Sequence, residues 1–117
     1  MANGPVVPIS GPEAFSTLDL RVGRIERAEL NERARKPSYK LWLDFGPLGR
    51  KTSSAQLVAN YRAEALVGRL VVAAVNLGSR NVAGFMSEVL VLGLPDEAGN
   101  VVLLAAERDV PLGGRVY

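Results

Sequence analysis

The chain contains no cysteine and no histidine. Those two absences together remove disulfides, thiolate nucleophiles, imidazole general bases and the usual zinc ligands. Aromatic residues make up only 6% of the sequence, and no apolar run approaches the ~20 residues a membrane-spanning helix needs. Membrane insertion is therefore not expected. The start, Met1-Ala2-Asn3-Gly4-Pro5, lacks the basic segment and apolar stretch of a secretory leader, so the cytoplasm is the expected compartment. Internal repeats, low-complexity tracts and lysine blocks are also missing. Paired carboxylates, a lysine nucleophile or a carboxylate-bound Mg²⁺ stay chemically open, but no motif for any of them is present. The expectation is a protein that is not an enzyme and has no cofactor and no metal.

What is present fits one folded domain over residues 1–117. A chain of this length holds one core rather than two, and 48% hydrophobic and 22% charged residues are ordinary globular usage. The formal charge is only +2, with arginine rather than lysine carrying most of the positive charge. A planar guanidinium suits phosphates and nucleobases. Arginines also simply cover surfaces, so composition leaves both readings open.

Pro5, Pro8 and Pro12 make residues 1–11 an extended arm poor in backbone donors. Ser10-Gly11-Pro12-Glu13 fits a capping box and predicts a helix over Pro12–Thr17. From Leu20 to Leu30 a two-residue alternation changes phase after Gly23, which predicts a long strand with a bulge at that glycine. Residues 39–45 alternate again, with Tyr39, Leu41, Leu43 and Phe45 on one face and Lys40, Trp42 and Asp44 on the other. A turn at Gly46–Gly49 leads to a third strand, Arg50–Ser53. Ser53-Ser54-Ala55-Gln56 offers a hydroxyl cap for a helix running to about Gly68, with Leu57, Tyr61 and Ala65 on one face. Residues 69–75 and 89–92 read as buried strands, and Val101–Leu104 as another after a turn at Pro95–Asn100. Five strands with a helix between the third and fourth predict an all-β chain with short helices. The matching architecture is an OB-fold, a five-stranded Greek-key barrel, here with N- and C-terminal extensions.

Candidate binding residues lie where polar segments meet buried strands. Asn76 follows one such strand, Ser87 precedes another, and Arg80 lies between them in sequence. Asn and Ser can bond base edges, 2′-hydroxyls or phosphates, or equally the backbone of their own loop. Arg80 can clamp a phosphate or stack on a base, or simply be solvated. Glu88 has no partner acid, nucleophile or metal motif, so a salt bridge or a hydrogen bond to an amide is expected of it. Arg33-Ala34-Arg35-Lys36-Pro37-Ser38-Tyr39-Lys40 concentrates positive charge beside an aromatic, the combination single-stranded RNA uses. Tyr39 is in phase with the core. Trp42 is not, and a base, a peptide or a second subunit can cover it, the subunit ranking first. Phe85 and Met86 also fall outside clear core phase. A third polar group, Lys51, Ser53, Ser54 and Gln56, sits where the helix is expected to start, as a cap or an anion site.

Four segments resemble the tRNA-binding-domain family: Asp19–Ile25, Lys40–Gly46, Lys51–Gln56 and Asn76–Gly93, within a similarity running from Phe15 to Tyr117. Lys51–Gln56, Ala83-Gly84-Phe85 and Ser87–Gly93 look like an export-related chaperone branch of that family rather than the domains appended to aminoacyl-tRNA synthetases. The resemblance implies an OB-fold, a homodimer formed through the terminal extensions, and binding rather than catalysis. It further implies chaperone-like binding of unfolded or preprotein segments linked to protein export. Asn76, Arg80 and Ser87 match the polar positions of the family's binding segment. Ala83 stands where many tRNA-binding members have arginine, and Met86 where relatives can carry lysine, which weakens the RNA reading and favours a peptide. The first expectation is thus a peptide-binding chaperone using Trp42, Phe85 and Met86. The alternative is a tRNA or structured-RNA binding module using Arg35, Lys36, Lys40, Ser53, Asn76, Arg80 and Ser87. A purely structural assembly subunit is the third.

Overall fold

A computed structural model describes residues 4–117, so the first three residues of the expected arm lie outside it. In chain order the elements are α1 (Glu13–Thr17), β1 (Leu20–Leu30), β2 (Tyr39–Asp44), β3 (Arg50–Ala55), α2 (Ala63–Leu66) and β4 (Leu70–Ala74). There follow β5 (Arg80–Val82), β6 (Phe85–Ser87), β7 (Leu90–Val91), β8 (Gly93–Pro95) and β9 (Val101–Leu103). No helix among the described residues is long and apolar enough to cross a membrane.

β1 is the spine. Its first half pairs with β4 and its second half with β2, so it must bend to serve both neighbours. The register shift that bends it lies between Ile25 and Arg27, not at Gly23. Gly23 has a different purpose: a Cβ there would sit 2.6 Å from Cε1 of Phe45, whose ring lies flush against the strand. The phase change in the sequence therefore marks a packing site, and the bulge follows it. With β3 and β7 added, the sheet runs β3-β2-β1-β4-β7 with every pair antiparallel. The N–H groups of Glu88 and Val89 both donate to the Thr52 carbonyl, at 2.8 and 3.1 Å, drawing the last strand toward β3 and nearly closing the five-stranded OB-type barrel. Ile25, Leu41, Leu43, Phe45, Leu66 and Val71 are fully buried inside it, each contributing roughly 1.5–3 kcal/mol. Tyr39 joins them as its phase requires, its hydroxyl donating to the Tyr61 carbonyl at 2.8 Å.

Local signals were overridden in several places. β3 continues to Ala55 because six residues pair with β2, so Ser54 is a strand residue and not a helix cap. The expected helix to Gly68 shrinks to the four residues of α2, preceded by an isolated turn in which the Tyr61 N–H donates to the Leu57 carbonyl. α1 begins at Glu13 without a side-chain cap: the Ala14 and Phe15 amides donate to the Gly11 and Pro12 carbonyls, leaving the Ser10–Glu13 capping box unformed. The strand expected over 89–92 is only Leu90–Val91, since Val89 is turned toward Thr52. Neither the β5–β6 hairpin nor the pairing of β8 with β9 was anticipated. At the C-terminus, Gly113, Gly114 and Val116 exchange backbone hydrogen bonds with Val22 and Leu20, adding the extension beside β1.

Candidate functional site

The segment expected to be a loop between buried strands is a hairpin. Val82 and Phe85 face each other across a two-residue turn in which Ala83 (φ 49°) and Gly84 (φ 86°) are both left-handed, as a type I′ turn demands. The Asn81 side chain fastens the turn by accepting from the Gly84 N–H at 2.9 Å. Gly84 is also close-packed, because a Cβ there would lie 2.5 Å from Nη1 of Arg33. Asn31 organises the opposite wall: its carboxamide oxygen accepts from the Arg33 amide, and its Nδ2 donates to the Val82 carbonyl at 3.3 Å. The turn of the hairpin is thus joined to the loop between β1 and β2.

At its other end the hairpin is strapped to β3. Thr52 Oγ1 donates to the Met86 carbonyl at 2.7 Å, Ser87 Oγ accepts from the Ser54 N–H at 2.9 Å, and Glu88 Oε1 accepts from the Thr52 N–H at 2.9 Å. Glu88 therefore makes the amide hydrogen bond expected of it. Ser87 is buried, donating to the Val89 carbonyl at 3.3 Å. Asn76 lies elsewhere, tying the end of β4 to the α1–β1 junction: it accepts from the Asp19 N–H at 2.9 Å and donates to the Thr17 carbonyl at 2.8 Å. Ser53 is fully buried. Of the candidate polar residues, these three are committed to the fold.

The apolar candidates are largely covered by their own chain. Phe85 meets Trp42 edge-on with centroids 5.3 Å apart, and the Arg27 guanidinium lies 4.3 Å from the Trp42 ring. Lys40 Nζ is 6.0 Å from both rings and 3.8 Å from Glu29, so it is not a free cation. Met86 alone of the three is open, at 48% exposure. Arg27 was not singled out from the sequence, although its place opposite Trp42 in the β1–β2 register produces the contact.

Between the two loops lies a cavity of about 490 Å³. Arg33, Ala34, Arg35 and Lys36 form one wall, Val82 and Ala83 of the hairpin another, and Ser38, Ser54 and Gln56 complete the lining. No carboxylate borders it. Among the described residues Arg33, Arg35 and Lys36 enter no ion pair, whereas Arg21, Arg27, Lys40 and Arg50 each face an Asp or Glu. Ser38 is buried and its Oγ has no hydrogen-bond partner. Arg80 is exposed at the strapped end of the hairpin, bordering a smaller cleft of about 210 Å³ with Leu77, Ser87 and Leu90. The structure therefore brings Arg35 and Lys36 together and places Arg80 apart from them. Gln56, read from the sequence as part of a separate polar group with Lys51, Ser53 and Ser54, and Ser38, inside the basic segment, meet in one lining because only the fold brings the loops face to face. No cluster of metal-ligating side chains occurs among the described residues.

Comparison with known proteins bears on the fold and the family. A family model described as "Putative tRNA binding domain" matches residues 20–115. The chain is 38% identical over 117 residues to a methionine–tRNA ligase of Sorangium cellulosum (strain So ce56), covering all of this chain but only 16% of that protein. Among solved structures, chaperone CsaA from Bacillus anthracis str. Ames superposes with TM-score 0.88 at 47% identity, covering 94% of this chain and 100% of that one. The CsaA chaperone protein from Picrophilus torridus gives TM-score 0.86 at 38% identity, covering 93% and 100%.

Proposed function

The chain belongs to the tRNA-binding domain family, and on that premise we propose that it is a non-catalytic binding module whose ligand is tRNA or another structured RNA. The observation that carries this reading is the cavity walled by Arg33, Arg35 and Lys36, three basic side chains with no carboxylate neutralising them. Counter-charge is what they lack, and RNA phosphates supply it with release of bound cations. Arg80 extends the basic surface at the far end of the hairpin. The test is a salt series of tRNA binding. Affinity should fall steeply with salt, and Arg35→Ala combined with Lys36→Ala should lower the log–log slope by about 1–2. Absence of any tRNA binding at low salt disposes of the reading.

A second reading is favoured by the full-length likeness to two CsaA chaperone structures. In it the chain holds unfolded or preprotein segments, in the cytoplasm and in connection with protein export, with exposed Met86 as an adaptable contact. The covering of Trp42 and Phe85 by each other and by Arg27 places it behind the RNA reading. Calorimetry with unfolded segments should show a negative heat-capacity change if it holds. Either ligand is served by a homodimer. Val6, Ile9, Phe15 and Leu18 leave apolar surface exposed on the arm and around α1, and such surface is usually covered. Light scattering at micromolar concentration returning a monomer contradicts the dimer.

A further inference from the structure

We infer that the cavity between the Arg33–Lys36 loop and the hairpin turn is a pocket for one unpaired nucleotide of the bound RNA. The inference rests on the RNA-binding reading and specifies which part of the RNA enters the site. Its volume, about 490 Å³, is within the ~300–1,000 Å³ of small-molecule pockets and too small for a duplex. A base that occupies it must therefore have left its stack, as in sequence-reading RNA complexes. The lining is divided chemically in the way a nucleotide is. Arg35 and Lys36 are exposed at the rim, where a phosphate would lie. Ser54 and Gln56 stand at the end of β3 and offer neutral donors and acceptors for a base edge or a 2′-hydroxyl. Ala34, Val82 and Ala83 supply apolar walls. No aromatic ring borders the cavity, so the planar surface for the base is a guanidinium, and that of Arg33 lies nearest the hairpin turn, beside Gly84.

Ser38 adds an independent observation. A buried hydroxyl without a partner is costly and uncommon, and it needs a reason. Ser38 lies in the cavity wall, and a polar group of a ligand seated there would supply the partner its Oγ lacks. A peptide side chain fits this lining less well. An apolar one would leave both the basic rim and the neutral polar wall unused, and an acidic one would leave the neutral polar wall unused.

The test uses the full chain and three probes: AMP, an RNA hairpin with a single-stranded 3′ overhang, and the same hairpin blunt-ended. The overhang hairpin should bind about 10-fold more tightly than the blunt one, and AMP should reduce that preference by competition. Gln56→Ala and Ser38→Ala should each cut the preference about 5-fold, the loss of one hydrogen bond. Ser38→Ala should not lower the melting temperature, since the hydroxyl has no partner to lose; this separates a ligand contact from a structural one. Equal affinity for the two hairpins, or an undiminished preference in both variants while tRNA still binds, overturns the pocket and leaves the RNA reading standing. Displacement of the overhang by an acidic peptide but not by AMP overturns it as well. A chain that binds no tRNA at low salt defeats the RNA reading and this inference with it.

Discussion

Glu88 links the barrel's closure to its hairpin, and replacing it with alanine measures that link. Its carboxylate accepts from the Thr52 N–H at 2.9 Å and lies 3.0 Å from Thr52 Oγ1. The Thr52 hydroxyl has one proton and also points at the Met86 carbonyl at 2.7 Å, so only the amide bond counts in full. A hydrogen bond to a charged acceptor contributes about 1.5–3 kcal/mol, and partial access of water to the orphaned amide favours the lower half of that range. Glu88→Ala should therefore cost about 2 kcal/mol, or roughly 6–10 °C in melting temperature for a domain of this size. Glu88→Gln keeps a carbonyl acceptor and should cost about 1 kcal/mol. Urea unfolding followed by the fluorescence of Trp42, the single tryptophan, reads both, with the m-value unchanged if the loss is in the native state. An alanine variant within about 0.5 kcal/mol of the parent, inside the scatter of ordinary surface changes, refutes the reasoning. So does a variant of full stability that has lost RNA binding, because Glu88 would then be a ligand contact.

Three further expectations follow from the same geometry. Gly23→Ala should destabilise by about 1–3 kcal/mol by forcing the Phe45 ring aside, and an unchanged urea midpoint would falsify the packing account. Asn76→Ala, which deletes two hydrogen bonds between β4 and the α1–β1 junction, should cost about 1–3 kcal/mol yet leave tRNA affinity unaltered. A loss of affinity at unchanged stability would return Asn76 to the binding surface. Asp19 is held below the ordinary carboxylate value of 3.8 by its hydrogen bond from Arg21, against the opposing effect of burial and with help from the charges of Arg21 and Arg115. A depressed pKa contributes stability above the unfolded value that is lost as pH falls through the folded one. The stability difference between the parent and Asp19→Asn should thus be constant near neutrality and shrink below pH 3.8; a difference that persists in strong acid refutes it.

Sequence reasoning served best where one residue's neighbours are set by period. The alternation of Tyr39, Leu41, Leu43 and Phe45 put four side chains in the core, and all four are there. The OB order of strands was legible for the same reason. Where the outcome depended on which partner the fold brings up, local signals misled. Ser54 has the chemistry of a helix cap, but pairing with Lys40 keeps it in a strand. Gly23 has the look of a bulge, but the reason for a glycine is the ring of Phe45, twenty-two positions away.

The candidate site shows the same division more sharply. Asn76 and Ser87 were chosen because polar side chains beside buried strands are free to meet a ligand, yet the fold spends their hydrogen bonds on Thr17, Asp19, Ser54 and Val89. The charge of Arg35 and Lys36 was legible, because a basic run with no acidic neighbour after Glu32 has little else to pair with locally. Their cavity was not legible, since its lining joins the loop between β1 and β2 to the end of β3 and to Val82 and Ala83 of the hairpin turn. That turn requires Ala83 in a left-handed conformation, which costs an L-residue about 1–2 kcal/mol. Two hydrogen bonds fasten the turn, from the Gly84 N–H to the Asn81 side chain and from Asn31 Nδ2 to the Val82 carbonyl, and three more tie Met86, Ser87 and Glu88 at the other end of the hairpin to β3. Ala83 in the turn leaves a small apolar wall beside Arg33, Arg35 and Lys36, and a longer side chain at that position would occupy part of the space they border.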